Sequence, residues 1–211
     1  MCEGGYLMNQ KEAQLGKTMA LIASLGTVGS FIVGAVLIGP SNIGYNINYG
    51  AVSDIVSFVQ GFGFVFTIAL CMKLFNAEEN PYFRIISSVA FVAASIQLTG
   101  ALSATATYNA VFDSIFNASE VGAIVGVGTF VSFIIYGIWA LSVISSDEEN
   151  LLSSWGKMAG QGAAYLIFVV QAGSFFGFIP AGAFVAVFVL GGVILYPLFV
   201  YSISKAFASK I

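Results

Sequence analysis

Residues 51–75 read AVSDIVSFVQGFGFVFTIALCMKLF. The stretch holds one acid, Asp54, and one base, Lys73, and apolar residues recur on every side of any helix drawn through it. A helix needs about 20 mostly apolar residues to cross roughly 30 Å of hydrocarbon. In lipid the backbone must satisfy its own hydrogen bonds, which a helix does within one segment. The stretch therefore reads as a transmembrane span. Residues 18–39, 85–106, 121–145, 158–179 and 181–204 read the same way.

The whole chain agrees with that reading. Of its 211 residues, 58% are hydrophobic and 8% charged, whereas a soluble domain carries roughly 25% charged residues. The expected fold is all-α, a polytopic transmembrane helical bundle of six spans. Residues 1–17 form an N-terminal tail, 18–206 the membrane domain and 207–211 a C-terminal tail. The opening MCEGGYLMNQKEAQLGK carries four charged residues and no apolar run. No cleavable signal is expected, and the first span acts as the signal anchor.

Orientation follows from the bases. Lys11, Lys17, Lys73, Arg84, Lys157, Lys205 and Lys210 all fall on one side of a six-span chain, and the three connections on the other side contain none. Bases near span ends mark the cytoplasmic side. Both termini are therefore expected in the cytoplasm and the chain in the cell membrane. The weak point is GFIPAG at residues 177–182. A hairpin through Pro180 keeps the pattern, and one long kinked helix breaks it.

Small residues suggest how the helices pack. Gly26, Ser30 and Gly34 recur every four residues, as do Gly122 with Gly126 and Gly173 with Gly177. Such stripes let helix backbones approach closely in lipid. They serve packing within the bundle or contact with another subunit. Pro197 lacks an N–H, so a kink is expected there. Leu15-Gly16-Lys17 and Trp155-Gly156-Lys157 hint at an internal repeat. Residues 108–116 have helical spacing suited to an interfacial helix, and Asn117-Ala118-Ser119 is an N-glycosylation sequon at Asn117.

Catalytic and metal chemistry find little support. The chain has no histidine, the usual ligand of haem, copper and zinc and the commonest general base. No phosphate-binding or dinucleotide motif is present, and no basic run suggests nucleic acid. Cys2 and Cys71 are expected as free thiols on the reducing side. Glu78-Glu79 and Asp147-Glu148-Glu149 read as solvated linkers. No enzyme activity, cofactor or metal is expected.

The intramembrane polar residues are the candidates. Asp54 lies about one turn inside its span, where an ionisable group marks a functional site or a charge at the helix N-terminus. Gln60, Gln97 and Gln171 fall roughly 10–14 Å from the same boundary at 1.5 Å per residue. They read as an interhelical hydrogen-bond layer, or as a polar pathway lined also by Ser57, Thr67 or Ser95.

The segments LGKTMALIASLGTVGSF, CMKLFNAEENPYFRIISSVAF and WGKMAGQGAAYLIF, with the final glycine-rich span, resemble multi-span membrane proteins of archaea grouped as a domain-of-unknown-function family. The resemblance implies a polytopic membrane protein and no activity. The leading expectation is a non-catalytic accessory or structural subunit of a larger membrane complex. Its partners are the lipid bilayer and other membrane subunits or a second copy, with no nucleic acid. The alternative is a small channel or transporter with a polar path near Asp54 and the three glutamines.

Overall fold

The computed structural model describes residues 8–33, 47–100, 118–178 and 180–211, and of residues 47–54, 99, 100, 118–130, 174, 175, 181 and 184 the backbone alone. Among the described residues there are helices and turns and no strand. α1 (Gln10–Ile32) begins at a capping box. Asn9 Oδ1 accepts from the Glu12 N–H at 2.9 Å, and Glu12 Oε2 accepts from the Asn9 N–H at 3.1 Å. Two donors that a first turn otherwise leaves unmatched are thereby satisfied. α2 (Ile47–Leu74) leads through a tight turn to α3 (Pro81–Gly100). There proline takes the first helical position, where no N–H is needed, and Asn80 Oδ1 accepts from the Phe83 N–H at 3.0 Å. α4 (Ala118–Ser145) precedes α5 (Ser154–Phe176), which Ser153 caps.

α5 ends at Gly177, whose φ of +68° is the left-handed conformation that glycine adopts without strain. Among the described residues nothing lies within 4 Å of the place a Cβ would occupy there. Gly177 is thus a helix terminator, where the four-residue stripe with Gly173 predicted a packing residue. After Pro180 comes α6, in three consecutive pieces: Ala181–Phe188, a π-helical Val189–Leu195, and Tyr196–Ala208. Gly156 faces Ser202, Gly160 faces Phe199 and Gly191 faces Leu166. Numbering falls on one helix as it rises on the other, so α5 and α6 form an antiparallel hairpin.

The expected kink at Pro197 takes the form of the π-helical segment. Proline offers no N–H to the carbonyl four residues before it and its ring crowds that carbonyl. The helix widens instead, and the Tyr196 N–H donates to the Gly191 carbonyl five residues back. Such π segments are rare in α-helices and concentrate at functional sites.

Each helix packs antiparallel on the next, and α6 returns to α1, so the six helices close a ring. Ser24 Oγ donates to the Pro197 carbonyl at 2.8 Å and Ser204 Oγ to the Lys17 carbonyl at 2.8 Å, which seats α6 on α1. The interior combines small residues with large ones. Ala13, Gly16, Ala20 and Ala23 form the buried stripe of α1, and Phe83, Trp139, Phe199 and Phe207 are fully buried. Other large apolar side chains point outward: Leu25, Ile55, Val92, Val131, Val169 and Leu190 are exposed, one on each helix. Water would not tolerate that arrangement around a whole ring, whereas lipid does. Among the described residues Gln10–Ile32, Ile55–Leu74, Pro81–Leu98 and Val185–Ala208 are, by length and composition, long and apolar enough to cross a membrane. The apolar stretch described in α4, Val131–Ser145, is shorter than these.

One end of the ring gathers the polar ties. Lys73 pairs with Glu12, Lys210 with Glu149, and Gln10 Nε2 donates to the Ile211 carbonyl. Asp147 departs from the solvated linker read in the sequence. Its carboxylate is fully buried and meets Lys157 Nζ at 2.9 Å. It also accepts from the Leu151 N–H at 2.7 Å and the Leu152 N–H at 3.1 Å. A buried charge needs a counter-charge and hydrogen bonds together, and the α4–α5 turn supplies both.

Candidate functional site: a chamber on the ring axis

A regular ring of six helices encloses a gap about one helix diameter wide, roughly 10 Å. Only large centre-facing side chains can fill such a gap. At one level they do. Phe64 of α2 lies 4.9 Å from Tyr136 and 5.8 Å from Trp139 of α4, and 5.7 Å from Tyr196 of α6, between ring centroids. Trp139 continues to Phe199 at 6.1 Å. Three alternate helices thus meet across the axis through aromatic rings. Below this floor Ile68, Cys71, Val143 and Ile203 are fully buried, down to the end that carries the termini.

Above the floor no ring stack spans the axis among the described residues, and the gap stays open as a chamber of about 360 Å³. Every helix contributes to its lining. α1, α2 and α3 supply Thr27, Ser30, Ser57, Gln60 and Gln97. α4, α5 and α6 supply Phe133, Ile167, Phe188, Gly192 and Val193, with Tyr136 and Tyr196 at the floor. One wall therefore offers hydroxyls and amides, and the opposite wall hydrocarbon. No described lining residue is charged.

The polar wall is a directed chain. Thr27 Oγ donates to the Ala23 carbonyl at 2.9 Å, so its oxygen is left to accept. Gln60 Nε2 donates to it at 2.9 Å, which turns Gln60 Oε1 toward Ser30 Oγ, its donor at 2.9 Å. Ser57 Oγ approaches Ser30 Oγ at only 3.4 Å, a weak link. Gly26 makes the chain possible, because a Cβ there would stand 2.7 Å from Gln60 Cβ. On the neighbouring wall Tyr136 Oη donates to Gln97 Oε1 at 2.7 Å. Tyr196 Oη and Trp139 Nε1 have no hydrogen-bond partner among the described residues.

No protein-family model, curated protein or solved structure matches the chain.

The sequence candidates divide. Gln60 and Gln97 line the same chamber. Gln171 is buried in a separate pocket of about 10 Å³, behind Phe133, Ile167 and Phe188. Ser57 lines the chamber, whereas Thr67 turns back to the Gly63 carbonyl and Ser95 to the Phe91 carbonyl. α2 starts at Ile47, so Asp54 is not in its first turn and is no N-terminal helix charge; its side chain lies outside the described residues. Gly26 and Ser30 face α2, and Gly173 is buried. Gly34 and Asn117 lie outside the described residues, as does the helix expected at 108–116, and Gly122 and Gly126 are described as backbone only.

The sequence reading missed the aromatic floor and the α1 partners of Gln60. Ser30 was within reach of the depth count applied to the glutamines. It lies nine residues from the expected outer end of its span, about 14 Å. The aromatics carried no such signal, since 20 phenylalanines and 9 tyrosines are spread along the chain.

Proposed function

We propose that the chain is a six-span protein of the cell membrane that carries a small solute through its axial chamber. The observation that carries this reading is one chamber walled by all six helices and closed toward the termini by an aromatic floor with packed side chains below it. Alternating access requires that floor to part. Tyr196 stands where the π-helical segment of α6 meets its last α-helical piece, and a widened helix turn is a ready place for that floor to move. α4 and α5, of 28 and 23 residues, pack along neighbours long and apolar enough to span, which supports six crossings. All seven bases belong to the end that holds both termini, which supports a cytoplasmic assignment for that end.

An accessory-subunit role has less support. Gly26 and Ser30, read as a possible subunit surface, are occupied by Gln60 of the same chain.

Purified protein in liposomes should speed equilibration of a panel of small labelled solutes over protein-free liposomes. Gly192→Leu should abolish the gain, because its Cβ meets only ordinary contacts and its side chain enters the chamber. Equal rates with and without protein across the panel would falsify the transport reading. For orientation, cysteines placed at Glu148 and Ser209 should react with an impermeant thiol reagent only after cells are opened; labelling of intact cells would reverse it.

A further inference from the structure

The two unlike walls of the chamber identify the chemical class of its occupant. We infer that the chamber binds an uncharged molecule, apolar over most of its surface, with one hydroxyl or amide head. The inference rests on the chamber being a solute site, as argued above. An apolar cavity of about 150 Å³ holds benzene, so 360 Å³ suits an occupant of roughly 12–14 non-hydrogen atoms. The absence of any charged side chain among the described lining residues disfavours an ion, since a bare charge brought from water into such a site finds no counter-charge.

The head group goes to Gln60 and Ser57. Gln60 Nε2 has two N–H groups, and Thr27 takes one. The second is a donor at the chamber wall. Among the described residues Ser57 is held only by its 3.4 Å contact with Ser30, a weak link that a ligand can replace. Together they offer a donor beside a group that donates or accepts. A hydroxyl or amide matches both, and a plain hydrocarbon matches neither. The body of the ligand lies against Phe133, Ile167 and Phe188 on the opposite wall. Relative to lipid, the head recovers hydrogen bonds that acyl chains do not provide.

The test uses naphthalenemethanol, ethylnaphthalene and naphthalenemethylammonium, which share a size and differ in the head. Binding is measured on the full chain in lipid nanodiscs, and each affinity is referred to the probe's own lipid-phase concentration. The alcohol is expected to bind saturably, roughly tenfold better than ethylnaphthalene, with no saturable binding of the ammonium. Ser57→Ala should lower the alcohol's advantage several-fold, and Gln60→Leu should remove it. An alcohol no better than ethylnaphthalene in the wild-type protein overturns the inference. So does preferred binding of the ammonium, which would point to Asp54, one helical turn before Ser57 in α2. In either case saturable binding that Gly192→Leu abolishes leaves the chamber reading standing. No saturable binding of any probe to the wild-type protein overturns both readings. Saturable binding without transbilayer movement removes the transport reading and leaves the ligand class intact.

Discussion

The two halves of the ring use the same helices in opposite ways. Toward the termini, glycines and alanines receive large side chains from the neighbouring helix. Gly16 takes the Phe207 ring and Gly160 takes Phe199. The axis there is filled by Phe64, Trp139 and Phe199, and the loops are tied by buried Asp147. Above the floor Thr27, Ser57, Gln60 and Gln97 face Phe133, Ile167, Phe188 and Gly192 without meeting across the axis, and a void remains. Two levels of one ring thus become a packed plug and a chamber through the size of the residues facing the centre.

The sharpest way to break that comparison is a pair of glycine substitutions. A Cβ at Gly63 would lie 2.9 Å from Ala23 N and Met19 O, backbone atoms of α1 that cannot rotate away. Gly63→Leu should destabilise the protein by more than about 3 kcal/mol. Gly192→Leu should change stability by less than about 1 kcal/mol, since its Cβ has ordinary contacts. Unfolding titrations in mixed micelles measure both, and equal losses would refute the packed-against-open contrast. Next is Phe64→Ala, which joins the floor to the chamber. A loss of about 3 kcal/mol is expected, together with faster solute leak through liposomes; unchanged leak would place the seal elsewhere. Asp147→Ala should lower stability by about 2–3 kcal/mol, because Lys157 loses its counter-charge and two backbone N–H groups lose their acceptor. Hydrogen exchange at Leu151 and Leu152 should rise with it, and protection kept in the variant would deny the anchor. Glu149→Gln is the smallest case. Its pair with Lys210 is exposed, and the same titration should move by less than about 0.5 kcal/mol.

Parts of both halves were legible in the residue pattern. Six helices lie close to the six apolar runs, because a run of about 20 apolar residues has few other stable states in lipid. Asp147 was misread. Its neighbours Glu148 and Glu149 are exposed, and nothing local to a run of three acids distinguishes the one that Lys157 and the turn amides enclose. The glutamine layer was legible as depth and illegible as grouping. Depth counts rise per residue along a helix axis, whereas the facing of each helix depends on its neighbours. Gln60 and Gln97 therefore share the chamber while Gln171 stands behind Phe133.

By itself the sequence determined that the chain is helical, where its helices run, and that their apolar runs are long enough to cross a membrane. Each is a property of one segment at a time, set by the cost of leaving a peptide group or a charge in hydrocarbon. The tertiary structure alone decided that the helices close a ring, that Pro180 marks a hairpin and Pro197 a π-helical segment, and which side chains meet on the axis. Those depend on distances between residues far apart in the chain, such as Ser24 and Pro197 or Phe64 and Tyr196. No single helix contains that information, because in lipid apolar faces do not sort inside from outside and close packing between helices does.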